Sequence, residues 1–430
     1  MKEYSYLKSV EMSVDDLKLG MYVSRLDKRW EESPFLFQGF PIETKEQLQL
    51  LKKECSRVYV DFKTQKEYDV FLLSAGSEFE ADEARYGKPN SISLTKELSQ
   101  AKDIIGKAVI SNKLLMRQIM QGGAFDLSES LNSVELIIQS FCRNPSALLL
   151  LTSIRNKIHY TPEHNVRVAI FAISFGYYLK MSPEQIRLLG ISAILHDIGK
   201  ASIPEKILNK PGKLNKAEAI VLKDHPRESY KVLSRIKGLN STIREVALTH
   251  HEREDGRGYP GHIPKERVSR FAKVVSLIDA YDAIVSDRAY GDARSSAHAL
   301  KLLKQEQGKK FDADLVNKFI QWLGSAPIGT MLELVSGEVG IVIDKSQGPR
   351  AEPVILLVTD EERKKSYRSI IELARKPIHR NGSLYAIKSL LADHAYGINI
   401  SQVLNKELFG AQGLCTDLVA AKSSPFSKYL

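Results

Sequence analysis

His250-His251-Glu252-Arg253-Glu254-Asp255-Gly256-Arg257-Gly258-Tyr259-Pro260 decides how this chain is read, together with Ile194-Leu195-His196-Asp197-Ile198-Gly199-Lys200. Paired histidines, a His-Asp pair and a glycine-broken loop make a poor packed core, because a buried imidazole or carboxylate must find a partner. The same residues make a good metal site. Working outward, His164, His225 and Asp279 fall in the same region, which otherwise shows the apolar periodicity of helices. Nitrogen and oxygen donors without thiolate suit iron, manganese, zinc or nickel. His196 and Asp197 are consecutive, so on a helix they point about 100° apart. One side chain can then face each of two ions, or Asp197 can bridge both through its two oxygens while His196 takes one. Asp279 lies on an apolar helix expected over Val274–Ile284, where its carboxylate is either a ligand or a solvent-facing group.

The 430 residues carry 62 Lys and Arg against 52 Asp and Glu, a net charge of +10. Such a length buries a sizeable core and divides into two or three domains. The positive balance favours an anionic partner, whether nucleotide, nucleic acid or acidic protein, and does not choose among them. Cys55, Cys142 and Cys415 are far apart, form no zinc-type pair and point to a reducing cytoplasm. Met1–Val14 has no signal-type apolar run. The most apolar helix, near Val168–Leu179, carries Ser174 and Gly176 and falls short of the ~20 residues a membrane span needs. The expectation is a soluble, cytoplasmic protein with no membrane contact.

Along the chain, residues 1–80 read as a small α/β domain: a strand within Val14–Val23, an amphipathic helix over Thr44–Cys55 and a strand over Arg57–Asp61. Trp30 and Pro34–Phe40 form an aromatic loop read as core or interface filler. Charged Glu78–Asn90 marks a linker, placed at 81–92. From Ser93 the pattern is helical to 324, with helix-spaced leucines and isoleucines in Asp126–Ser140 and Pro145–Lys157. Thr161-Pro162 and Ser182-Pro183-Glu184-Gln185 are cap-and-proline helix starts, the second with Gln185 as capping-box partner. That second helix runs into His196-Asp197, and Gly199 is expected to close it. Residues 325–430 read as a β-containing segment with strands at Met331–Val335, Val339–Ile343 and Val354–Val358, and a loose tail from Thr416.

The ordered series His196-Asp197, His225, His250-His251-Glu252, Asp255–Pro260 and Asp279-Ala280-Tyr281-Asp282-Ala283 resembles the HD-GYP branch of the HD superfamily of metal-dependent phosphohydrolases, from about Ser140 to Leu323. Leu19-Gly20-Met21-Tyr22-Val23 and Pro34–Phe40 resemble a domain that precedes HD-GYP modules in bacterial proteins. The resemblance implies a mainly α fold: an all-helical HD-type module with a small α/β N-terminal domain and a short β-containing C-terminal segment. It also implies hydrolysis of a bacterial 3′,5′-cyclic dinucleotide, cyclic di-GMP or 3′,3′-cyclic GMP-AMP, to a linear dinucleotide. The family's metal ligands fall on His196, Asp197, His225, His250, His251 and Asp279. His164 matches a histidine that some members use for a further metal, completed by a glutamate where this chain has Tyr160. Two ions are therefore expected, iron or manganese, with nickel or zinc as ions acquired on isolation and no third metal. His164 then serves behind the ligands or as a weak third-site ligand.

A phosphodiester is an anion and repels hydroxide, so the site must supply both a neutralising field and a nucleophile. Two ions sharing Asp197 would meet that need with a bridging hydroxide set for in-line attack. Asp197 and Lys200 are the expected catalytic residues. Lys200 either contacts a phosphate oxygen or the leaving 3′-oxygen, or is a solvated helix-end cation. Arg288 matches a phosphate-contacting arginine, a task its guanidinium fork suits. The family's usual proline and basic residue are replaced by Ala289 and Gly291. Lys206, Lys210, Lys213 and Lys216 either supply that missing charge or form a solvated face. Asp255, Gly258, Tyr259 and Pro260 are the remaining expected substrate contacts. For the Gly-Tyr-Pro loop, a stiff turn beside the metals and an exposed tyrosine touching substrate or a signalling protein both stand. An alarmone phosphohydrolase and a non-catalytic dinucleotide receptor or scaffold are the competing functions. A cyclase partner and a homodimer are compatible with the resemblance; DNA or RNA binding is not expected.

Overall fold

The computed structural model describes residues 8–28, 33–35, 40–42, 44–62, 92–122, 125–154, 160–208, 210, 212–236, 239–286, 295–346, 351–364, 369–392 and 394–410. They fall in two units, Met1–Ser77 with Glu266–Arg270, and Glu78–Lys265 with Phe271–Leu430. The linker but for Ile92, the tail from Thr416, Trp30 and most of the aromatic loop lie outside the described residues.

In the first unit, β1 (Lys8–Ser13), β2 (Tyr22–Leu26), β3 (Phe40–Pro41) and β4 (Arg57–Phe62) form an antiparallel sheet of order β1-β4-β2-β3. β4 alternates, with Val58 and Val60 buried, as a half-covered strand requires. Between β3 and β4 runs α1 (Lys45–Glu54), begun by a capping box of Thr44 and Gln47, and its Leu51 joins Val23, Ile42, Val58 and Val60 in one core. The short strand expected after a polar turn in Val14–Val23 starts late in that stretch and runs beyond it. Val14–Asp16 is a turn of 3-10 helix, because the Ser13 hydroxyl accepts from Asp15 N–H and starts it, and the strand begins at Tyr22.

The second unit is helical through α2 (Leu94–Met120), α3 (Ser128–Arg143), α4 (Pro145–Leu151), α5 (Tyr160–Tyr178), α6 (Pro183–Leu195), α7 (Glu205–Leu208), α8 (Lys216–Lys223), α9 (His225–Leu233), α10 (Ser241–Thr249), α11 (Arg270–Val285), α12 (Ser296–Gln305) and α13 (Ala313–Leu323). α4 stops six residues before the expected Lys157; 155–159 are outside the described residues. α6 begins with the expected capping box of Ser182 and Gln185. α5 and α6 are buried on almost every side, which places them at the centre of the module. Phe175 of α5 meets Phe319 of α13 edge to face at 5.2 Å and is fully buried. Such a ring contributes about 3–5 kcal/mol against truncation to alanine. No helix among the described residues is long and apolar enough to cross a membrane.

After the helices, β5 (Met331–Leu334), β6 (Val339–Lys345), β7 (Pro353–Leu357), β8 (Ile370–Glu372) and β9 (Ile387–Leu391) form an antiparallel sheet of order β8-β7-β6-β5-β9. A helix, α14 (Ile400–Phe409), follows. Hydrogen bonds tie the sheet to the helices. Ser146, in the first turn of α4, donates to Asp344 at 2.5 Å, and Lys345 Nζ donates to the Leu323 carbonyl at 2.8 Å, capping the end of α13.

Gly199 does not close α6. It lies inside a 3-10 turn, Ile198–Ser202, with α9 packed on its bare Cα. A Cβ there would lie 2.2 Å from Ser229 N and 2.3 Å from the His225 carbonyl oxygen, and Gly199 N–H donates to Ser229 Oγ at 2.8 Å. Glycine is required for backbone approach, not for a left-handed cap.

Candidate metal centre

α6 delivers the His-Asp pair. His196 keeps helical angles (φ −55°, ψ −38°) and Asp197 departs from them (φ −103°, ψ 12°), so the two side chains part at the helix end. The Ile194 carbonyl beside this break accepts from the buried Asn112 amide at 3.1 Å, and Asn165 donates in turn to Asn112 at 3.3 Å. Close approach at Gly199 brings His225, the first residue of α9, to Asp197. His250 caps the end of α10 with His251 after it, and α11 presents Asp279.

The expected donors converge in two groups, Asp197 with His225, His250 and His251, and His164 with His196 and Asp279; within each, the donor atoms lie within 4.8 Å of one another. Asp197 serves both. Its Oδ1 lies 3.0 Å from His225 Nε2 and 3.7 Å from His250 Nε2, while Oδ2 lies 3.4 Å from His196 Nε2 and 3.8 Å from His164 Nε2. Asp279 is also divided, with Oδ1 3.0 Å from His164 Nε2 and Oδ2 3.9 Å from His251 Nδ1. His164 thus stands inside the second group, between the two aspartates, and not behind it.

Tautomers follow from the outer ring nitrogens. A carbonyl oxygen only accepts, so Nδ1–H of His196 donates to Ala193 at 2.7 Å, that of His225 to Leu222 at 2.7 Å and that of His250 to Ala247 at 3.0 Å. Their Nε2 atoms then carry lone pairs toward the centre. His225 Nε2 faces His250 Nε2 at 3.4 Å as well as the Asp197 oxygen, and neutral rings in that tautomer leave no hydrogen between these atoms. His196 Nε2 and Asp197 Oδ1 are buried with no hydrogen-bond partner among the described residues. Lone pairs converging in a buried space repel unless a cation lies among them, so the donor set fits divalent ions.

Charges agree with this arrangement. Burial alone would raise the Asp197 pKa, but the Lys200 ammonium bonded to it outweighs this foremost, and the carboxyl is held well below its usual range. Lys200 Nζ is bonded directly to Asp197 Oδ2, so Lys200 is no solvated helix-end cation. Burial works to lower the His164 pKa, and the Asp279 and Asp282 carboxylates on either side raise it to about 9. Burial lowers that of His251 to about 3 and that of His250 well below the ordinary value.

Behind the donors lie Asp282 and Glu252, which the motif contains without an assigned role, and Arg167, which it omits. Asp282 accepts from His164 Nδ1–H at 2.7 Å and from Arg167 at 2.8 and 3.0 Å, giving a buried Arg-Asp-His relay. Asp282 stands three residues after Asp279, and Arg167 three after His164, so helical spacing on each side was the available signal. Glu252, 5% exposed, accepts from Gly261 N–H at 2.6 Å and Ile263 N–H at 3.3 Å and so fastens the end of the Gly-Tyr-Pro loop.

The expected substrate contacts divide. Tyr259 is half-buried instead of exposed, stacked on His251 with ring centroids 4.7 Å apart. Burial foremost, with Asp279 and Asp197 nearby, pushes its phenol pKa up. At Gly258 a Cβ would fall 2.4 Å from Glu252 Cα, so this glycine is a close-approach residue. The Pro260 carbonyl accepts from Arg227 at 2.8 Å. Asp255 is turned to Arg253 in a two-point pair (2.9 and 2.7 Å) and to Arg257 N–H, which together lower its pKa to about 2; these bonds shape the loop. Arg288, Ala289 and Gly291 lie outside the described residues. Lys206, Lys213 and Lys216 are solvated, and Lys210 pairs with Glu218 at 2.6 Å.

Residues 151–315 match the family described as HD domain, and residues 9–130 match the Domain of unknown function (DUF3391). The chain is 31% identical over 337 residues to the cyclic di-GMP phosphodiesterase PA4108 of Pseudomonas aeruginosa, across 77% of this chain and 81% of that protein. It is 38% identical over 144 residues to the cyclic di-GMP phosphodiesterase response regulator RpfG of Xanthomonas campestris, across 33% of this chain and 38% of that protein. With the 3'3'-cGAMP-specific phosphodiesterase 2 of Vibrio cholerae it shares 24% over 294 residues, across 67% of this chain and 51% of that protein. The chain thus spans four fifths of the Pseudomonas relative and about half or less of the other two. On the strength of the match to the Pseudomonas protein, and of the HD domain within it, this chain belongs to the HD-GYP family of metal-dependent phosphohydrolases.

Proposed function

We propose that this chain hydrolyses a 3′,5′-cyclic dinucleotide to its linear form at a centre of two divalent ions, iron or manganese. The observation that carries it is the Asp197 carboxylate, whose two oxygens face His225 and His196 separately, each ring donating its outer N–H to a backbone carbonyl and turning a lone pair inward. Bound divalent ions supply positive charge for the phosphate and make water a nucleophile near neutral pH. Asp197, His225, His250 and His251 would hold one ion. His164, His196, Asp279 and the second oxygen of Asp197 would hold the other. Lys200, partly exposed beside Asp197, is the cation that meets a non-bridging oxygen or the departing 3′-oxygen. Arg288 is retained as a second phosphate contact.

The substrate class follows the relatives, two named for cyclic di-GMP and one for 3'3'-cGAMP. Their common feature is the cyclic phosphodiester ring, which is what a metal centre reads. Purified chain assayed with manganese, and with ferrous iron under anaerobic conditions, should open both dinucleotides at measurable rates. Asp197→Ala should lower turnover on the order of 10³-fold, the size of several kcal/mol of lost electrostatic stabilisation. Tight binding of either dinucleotide without turnover, under every metal, would replace the enzyme with a receptor.

A further inference from the structure

We propose, on the metal-binding reading above, that Tyr259 is a positioning residue whose ring fixes the orientation of the donor His251, with Glu252 as the clamp that keeps the tyrosine in place. Four of the five clustered histidines are held by a hydrogen bond at the outer ring nitrogen: His164 by Asp282, His196 by Ala193, His225 by Leu222 and His250 by Ala247. Among the described residues His251 has no such bond. A histidine ring turns broadly about its last side-chain torsion, so a donor without an outer partner is held by packing or is not held.

Packing is what His251 has. The Tyr259 ring lies on it nearly parallel, at 29° and 4.7 Å between centroids, and meets His225 at a steep angle from 6.5 Å. Lys223 Nζ stands 5.4 Å from the centroid of the same ring. The tyrosine is held by backbone. Its N–H donates to the His251 carbonyl at 3.2 Å, and Gly258 before it lies so close to Glu252 that a side chain has no room. Beyond Pro260, Glu252 accepts the Gly261 and Ile263 N–H groups, and Arg227 holds the Pro260 carbonyl. Both ends of Gly258-Tyr259-Pro260 are thereby fastened to the short segment that carries His251. The Tyr259 hydroxyl has no hydrogen bond among the described residues, so the ring is the working part.

Two features of the outcome separate this role from a substrate contact. Loss of the ring should weaken metal binding, which a substrate contact would leave unchanged. Loss of the hydroxyl alone should not. Manganese titrations of the full chain, read by calorimetry and by the manganese resonance spectrum, should show Tyr259→Phe within about twofold of wild type. Tyr259→Ala should bind about tenfold more weakly, the low end for loss of an orienting partner. Glu252→Gln should shift affinity in the same direction by a smaller factor, and combining it with Tyr259→Ala should add little. Thermal melts of each variant identify any that fails to fold, and Glu252→Gln, nearly isosteric, then carries the test.

Unchanged manganese affinity in Tyr259→Ala, with a raised KM for dinucleotide, would overturn the positioning role in favour of substrate contact. Equal damage in Tyr259→Phe and Tyr259→Ala would overturn it as well, by assigning the work to the hydroxyl. A wild-type chain that binds no manganese sinks the metal reading beneath it, and that result is distinct from the other two.

Discussion

Among the described residues of the second unit, two places gather histidine with carboxylates closely enough to hold a cation, and they are built on opposite principles. In the C-terminal sheet region Glu338, Glu361 and His379 bring donor atoms within 4.8 Å of one another, as tightly as the groups around Asp197 do. There, however, Asn381 N–H donates to His379 Nδ1 at 3.2 Å, so Nε2 carries the proton and gives it to Glu338 at 3.2 Å and to Glu361. Tyr385 and Ser336 donate to Glu338, and Arg380 holds Glu361 through two bonds of 2.9 and 2.7 Å. Every charge is answered by protein. Around Asp197 the protons are drawn outward to backbone carbonyls and the inner atoms are left with lone pairs. Proximity of ligand-type residues is common to both; the direction in which the hydrogen bonds point tells them apart.

The sharpest way to break that contrast is to remove one histidine from each. His250→Gln should cut turnover on the order of 10³-fold and reduce bound metal, measured by elemental analysis of the purified chain. His379→Gln should leave metal content and turnover alone and lower stability by about 1–3 kcal/mol, read from denaturant unfolding, because a buried carboxylate loses a donor. Metal lost from the His379 variant would show the two places to be alike.

A smaller effect is expected behind the donors. Asp282→Asn keeps the shape of the relay but weakens its hold on His164, and manganese affinity should fall about 10–100-fold, with Arg167 left short of its counter-charge. Unchanged affinity would remove His164 from the set. The smallest effect is a proton. The His164 pKa is raised to about 9 from its ordinary value, so protonation of this ring stabilises the metal-free fold fully below pH 6.5, and that contribution is lost as pH rises through 9. Metal must displace this proton. Calorimetry in buffers of different ionisation enthalpy should therefore detect release of about one proton near pH 7.5, fading above pH 9. His251, lowered to about 3, should release none.

Much of this was legible in the residues, and for physical reasons. Ser182 and Gln185 announce a helix start by local chemistry, and α6 starts there. Adjacent histidines, broken glycines and an aspartate on an apolar helix announce a buried polar centre, because nothing else accommodates them. What required neighbours in space was not legible. Gly199 has a local meaning, a helix end, and a nonlocal one, the approach of α9, and only the second applies. Asp282 and Arg167 face each other across helices far apart in sequence, so each by itself reads as an ordinary helix charge. Glu252 was hidden in a charged run. β8 and β9 were missed because they are short and mostly uncovered, with little alternation to mark them.

The contact at Gly199 also sets a length standard for the site. Main chain of α9 touches main chain of the turn that follows Asp197, so the span between Asp197 and His225 is measured out by peptide units and not by side chains that could repack. Peptide geometry hardly yields, and a spacing defined this way is nearly immune to drift in the surrounding core. Replacing that one hydrogen atom by a methyl group would wedge the two segments apart and carry the imidazole away from the carboxylate, while every donor residue stayed chemically intact.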